Sequence, residues 1–238
     1  MNYFDRAGVR VFPESVAAIV LFCSFIFSGN VVDAQVTIVG YDVTNPNGSN
    51  GSPSPDLPAA EAASNVTTLL YSRGAGLIPN QGVTLNSSGW ATSSLAAAIA
   101  AEDYLERGWS NSADQYDLED MTIQYDRSNS GPTQLAIMLA VNGGAMQTVH
   151  TDSDIFVGDE THTIDLTAFD NVLSATVRLF AFDAASPGGT LDIERFNAEP
   201  EPSRGMIVRG FVSSVPEPGS VVVLCLVGVG FFVKRRRA

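Results

Sequence analysis

From Asp117 onward, apolar side chains return at nearly every second residue, and this period constrains the fold more than any other feature. In DLEDMTIQYDR, Met121, Ile123 and Tyr125 fall on one side while Thr122, Gln124 and Asp126 fall on the other. TQLAIMLAV repeats the pattern with Leu135, Ile137, Leu139 and Val141. SATVRLFAFD sets Val177, Leu179 and Ala181 against Arg178, Phe180 and Phe182, and GGTLDIERF sets Leu191 and Ile193 against Asp192 and Glu194. Successive side chains of a strand point to opposite faces, so each segment predicts a strand with one face to bury. The turn signals RSNSGP, NGG, DSD and ASPGG separate them. Short alternating strands at this spacing argue for an all-β chain, an antiparallel β-sandwich rather than alternating β and α units.

The earlier part of the chain is less regular. QVTIVGYDV predicts a first strand, residues 45–58 an irregular loop rich in Asn, Gly, Ser and Pro, and Val66 to Tyr71 a further strand. SSLAAAIAAEDYLERGWS reads two ways: Ala96 to Ala101 favour a short helix, whereas Tyr104, Leu105 and Trp109 suit a strand. MIVRGFV is the last expected strand, and SSVPEPGS follows it at once.

Both ends differ from this body. Arg6 and Arg10 precede an uncharged run from Val16 to Gly29, which is too short for a span and suits a secretory h-region. Val32 and Ala34 occupy the small-residue cleavage positions, so residues 1–34 are expected to be a signal peptide and Gln35 the mature start. An uncleaved N-terminal anchor is the alternative. At the other end, Gly219 to Val233 is an uncharged run of 15 residues, about 22 Å as a helix against a hydrocarbon core of about 30 Å. Lys234, Arg235, Arg236 and Arg237 close the chain, and such a basic tail stays on the cytoplasmic side, placing the body across the membrane.

Between the ends, Gln35 to Val215 holds 22 acidic residues, seven arginines and no lysine, a formal charge of −15. A surface this acidic repels phosphate backbones, which excludes nucleic-acid binding. Cys23 and Cys225, the only cysteines, both lie outside the body, so the body carries no disulfide and no thiolate metal site. Its stability must come from its core.

Val215-Pro216-Glu217-Pro218, followed by the apolar run and the basic tail, resembles the PEP-CTERM sorting signal of exported bacterial proteins. The resemblance covers 215–238. It implies export machinery and an exosortase-type membrane protease as partners, and at least transient contact with the inner membrane. More loosely, the stretches AAAIAAEDYLERGWS, DLEDMTIQYDRSNSGPTQLAI and TVRLFAFDAASPGGTLDIERF resemble the jelly-roll-like sandwich commonly found in front of that signal. No activity comes with it.

Candidate chemistry is sparse. Calcium takes hard oxygen ligands, and the body offers Glu102-Asp103, Asp152-Ser153-Asp154, Asp159-Glu160 and the pair Asp183 and Asp192, brought close by the SPGG turn. Loop carboxylates are usually just solvated and no cofactor is required; if a calcium site exists, Asp183 and Asp192 are the preferred pair. His150 and His162 are the only histidines, and without a Gly-x-Ser-x-Gly elbow no catalytic residues are assigned. His162 shares its parity with Ile164 and Leu166, as a strand histidine at an edge would. Aromatic faces hold sugars, which makes Trp90 and Trp109 candidate ligand-binding residues, with Trp90 expected to be exposed after NSSG. The expectation is an exported cell-surface or extracellular-matrix protein, non-enzymatic, interacting with envelope or extracellular polysaccharide. A secreted hydrolase acting on exopolysaccharide, or an adhesin-like protein-binding module, is the alternative.

Overall fold

In the computed structural model, which describes residues 34–43, 59–80, 84–196 and 204–214, the alternating segments are strands. The expected signal segment, the 45–58 loop and the sorting segment from Val215 lie outside the described residues, apart from Ala34. One antiparallel sheet runs in the order β2 (Ala59–Ala62), β1 (Val36–Asp42), β13 (Arg204–Ser214), β7 (Asp114–Arg127), β12 (Thr190–Ile193), β5 (Leu85–Ser88) and β4 (Ile78–Pro79). An eighth strand, β10 (Glu160–Asp165), also pairs with β7. The second sheet is β3 (Val66–Arg73), β6 (Tyr104–Asn111), β11 (Ser174–Phe182), β8 (Gln134–Val141) and β9 (Gln147–Asp152).

Their inner faces form one core, in which Met121, Ile123 and Leu191 of the first sheet pack with Ile137, Leu139 and Leu179 of the second. This is the antiparallel β-sandwich that the period demands. Polar groups tie the layers together: the Tyr41 hydroxyl on β1 donates to the Gly108 carbonyl on β6 at 2.7 Å. Arg107, also on β6, is buried with its guanidinium over the rings of Tyr41 and Tyr71, 4.4 and 3.8 Å from their centroids.

The ambiguous alanine stretch is both helix and strand. α1 (Leu95–Ala101) starts where the Ser94 side chain accepts a hydrogen bond from Ala97 N–H and stops at Glu102 in the left-handed region, after which β6 begins. The helix lies on the outer face of the second sheet, where Ala98 packs with Ala136, Phe180 and Phe182. β11 therefore buries both faces, although its alternation predicts only one.

Candidate functional site

Along one side of the sandwich the inward positions carry polar groups instead of apolar ones. β9 is the last strand of the second sheet, and its register against β8 slips by one residue. Gln147 and Thr148 face Leu139 and Met138, but His150 and Asp152 face Ile137 and Leu135, leaving Val149 as the extra residue. Opposed residues of an antiparallel pair share a face, so the bulge turns His150 and Asp152 inward. On β10, Glu160 faces Tyr125 and His162 faces Ile123, both inward positions of β7. Two histidines and two carboxylates thus meet where the sheets end. His162 is the edge-strand histidine that its parity predicts.

The groups are in mutual reach. His162 Nε2 lies 3.3 Å from Glu160 Oε1 and 3.9 Å from Asp152 Oδ2, and one ligand atom from each of the three residues fits within 4.8 Å of the others. The His162 ring stacks on Tyr125, centroids 4.9 Å apart and planes 7° from parallel, and the His150 ring is 5.0 Å from that of His162. The Tyr125 hydroxyl donates to Asp152 Oδ2 at 2.9 Å, and Phe156 N–H donates to Glu160 Oε2 at 3.3 Å. Burial lowers the His150 pKa, helped by His162 and opposed by Asp152 and Glu160. Burial raises the Tyr125 phenol, and the Asp152 carboxylate beside it adds to the effect, so the phenol stays protonated and serves as a donor.

The loop from Ser153 to Asp159 crosses from one sheet to the other. Ile155 is fully buried; its N–H donates to the Thr133 carbonyl, and its own carbonyl accepts from Arg127 Nε. Gly158, with φ of 124°, donates its N–H to Asp126 Oδ1. Between these anchors Phe156 and Val157 face outward, 66% and 40% exposed. Phe156 is the only aromatic among the exposed large hydrophobic residues described.

Other sequence candidates lie elsewhere. Trp90 and Trp109 are 0% and 1% exposed, so neither forms a surface platform. Trp109 shares its parity on β6 with Leu105 and points into the core. Trp90 follows a tight turn at Gly89, φ 103°, that tucks the indole under the sheet; its Nε1–H donates to the Ser87 carbonyl, and its own carbonyl accepts from Ala184 N–H. Asp183, just past β11, accepts from Thr133 and Gln134, whereas Asp192 faces Asp126 across β12 and β7. Neither belongs to a group of three ligating His, Asp or Glu residues among those described. Burial, with Glu194 and Asp126 nearby, pushes the Asp192 carboxyl up to about 7. Ala34 and Gln35 are exposed ahead of β1. Of the acidic stretches that could ligate calcium, Asp152 and Glu160 do meet; the two histidines join them through strand pairing, and the bulge that turns His150 inward leaves no mark in the residue pattern.

No family model matches this chain, and no curated protein matches it. Among solved structures it is similar to a family 29 carbohydrate-binding module from Piromyces equi, with TM-score 0.39 and 9% identity over 75% of this chain and 91% of that one. A variant of such a module complexed with mannohexaose has TM-score 0.35 and 10% identity, covering 77% and 94%. Another, complexed with cellulohexaose, has TM-score 0.35 and 14% identity, covering 78% and 93%.

Proposed function

We propose that this chain is an exported, non-catalytic surface or matrix protein that holds envelope or extracellular polysaccharide at the β9–β10 edge. The observation that carries the reading is Phe156, an aromatic ring 66% exposed on a loop whose backbone is anchored on both sides. An exposed apolar ring on an anchored loop suits the flat face of a sugar. Hydrogen-bond acceptors for sugar hydroxyls stand on the strands beside that loop: Asp152, Glu160 and Asp126. Delivery is by the N-terminal signal segment and by Val215-Pro216-Glu217-Pro218 with its apolar and basic sequel, which an exosortase-type protease would cut.

A glycan array of the full chain beside Phe156→Ala tests the binding. The reading expects a family of related glycans retained by the native protein and lost, by at least about tenfold, in the variant. Equal retention by both proteins would remove the edge from the account.

A second reading, hydrolysis of exopolysaccharide, has one observation in its favour. Asp192, poised at about 7 beside Glu194, has the protonation a general acid needs. Release of reducing ends from exopolysaccharide, abolished in Asp192→Asn, would replace the binding reading with this one.

A further inference from the structure

The cluster behind Phe156 has a composition that sugar binding does not require. We propose that Asp152, Glu160 and His162 bind a divalent transition-metal ion of the zinc type, with the His150 ring packed beside His162. The spacing fits: metal–ligand bonds of about 2.0–2.1 Å in a tetrahedron place neighbouring ligand atoms about 3.3 Å apart. His162 Nε2 is 3.3 Å from Glu160 Oε1 and 3.9 Å from Asp152 Oδ2, so small side-chain rotations complete the set.

Both carboxylates are already oriented. Tyr125 O–H holds Asp152, and Phe156 N–H holds the far oxygen of Glu160, leaving Oε1 toward the histidine. Outer partners of this kind fix ligand direction in metal sites. The Nε2 atoms of His150 and His162 are both buried and lack a hydrogen-bond partner. Buried polar atoms are almost always satisfied; His162 Nε2 faces two carboxylates without an aligned hydrogen bond to either, an arrangement that a Lewis acid would complete. Imidazole in the set favours zinc, cobalt or nickel over calcium, which takes oxygen alone.

The ion would tie β9 to β10, and so the edge of one sheet to the edge of the other. The inference does not rest on polysaccharide binding and stands whether or not Phe156 meets a sugar.

The test is calorimetric titration of zinc, cobalt and calcium into the full chain, purified without a histidine tag and stripped with a chelator. Alongside it run Glu160→Gln, which keeps the side-chain shape, and His162→Ala, with circular dichroism to confirm folding. One equivalent of zinc or cobalt should bind with a dissociation constant of about 1 μM or tighter, weakened at least about 100-fold in Glu160→Gln. Calcium should bind far more weakly than zinc. Zinc binding no tighter than about 1 mM, equal uptake by the variants, or a preference for calcium would overturn the proposal. In the first case the cluster is a plain histidine–carboxylate pairing.

Discussion

Arg107 is a charged side chain in an apolar core, 3% exposed. Burial lowers its pKa to about 10, opposed by Tyr71 and Tyr41, so it remains a cation at neutral pH. The two tyrosine rings and the Asp42 carbonyl replace the water it lost. Arg107→Ala should cost about 2–4 kcal/mol in urea denaturation, since it removes both the packing and the cation–π contacts. Arg107→Met should cost less, because it keeps the volume. Asp192 makes a different prediction at the same scale. Its carboxyl is raised to about 7 from an ordinary 3.8, chiefly by burial. Between those values the folded chain keeps a proton that the unfolded chain releases, so this group's contribution to stability falls as pH rises from about 4 to 7. Glu194 is raised too, by burial, and acts in the same direction. Asp192→Asn should therefore raise the Tm by about 2–4 °C at pH 8 and change it little at pH 4, compared by paired thermal melts. An equal difference at both pH values would refute the assignment.

At the scale of elements, α1 owes its place to one face of β11. Phe180 and Phe182 point outward from the main core and are buried in one cluster with Ala98 of the helix. Phe180→Ala should cost about 3 kcal/mol and speed hydrogen exchange in residues 95–101, while the main core stays protected. The same element shows how far the residues alone reach. Strands β8, β11 and β12, and β7 from Met121 to Tyr125, are legible because their alternation is unbroken there and decides which face packs on the main core. The outward phenylalanines of β11 were equally visible, but what covers them depends on where a short alanine helix docks. β9 was illegible for a local reason: its bulge at Val149 shifts the parity by one, so the inward His150 and Asp152 sit where simple alternation puts outward residues. Asp152 and Glu160 were seen as acids on a loop. That they meet His162 follows only from the pairing of β10 with β7 and the bulge in β9. Trp90 was misplaced because a Gly89 turn, which suggests exposure, instead folds the ring beneath the sheet.

At the scale of the molecule, two features set behaviour: an acidic body and its unlike ends. The body's formal charge of −15 should keep it off anionic polymers and make any attraction to cations fall with salt. Intact-mass measurement of protein recovered from the cell exterior should show the chain beginning near Gln35 and ending near Pro218; a mature form that keeps Lys234 to Arg237 would leave a single-span anchor in place of a sorting signal. The central claim, that the β9–β10 edge is where this sandwich holds polysaccharide, has a more direct test. Exopolysaccharide fragments titrated into the isotope-labelled full chain should shift backbone amide signals of Ser153 to Glu160 and the neighbouring signals of β7 and β10, leaving α1 unmoved. Shifts confined to the α1 face, or none at saturating glycan, would contradict it.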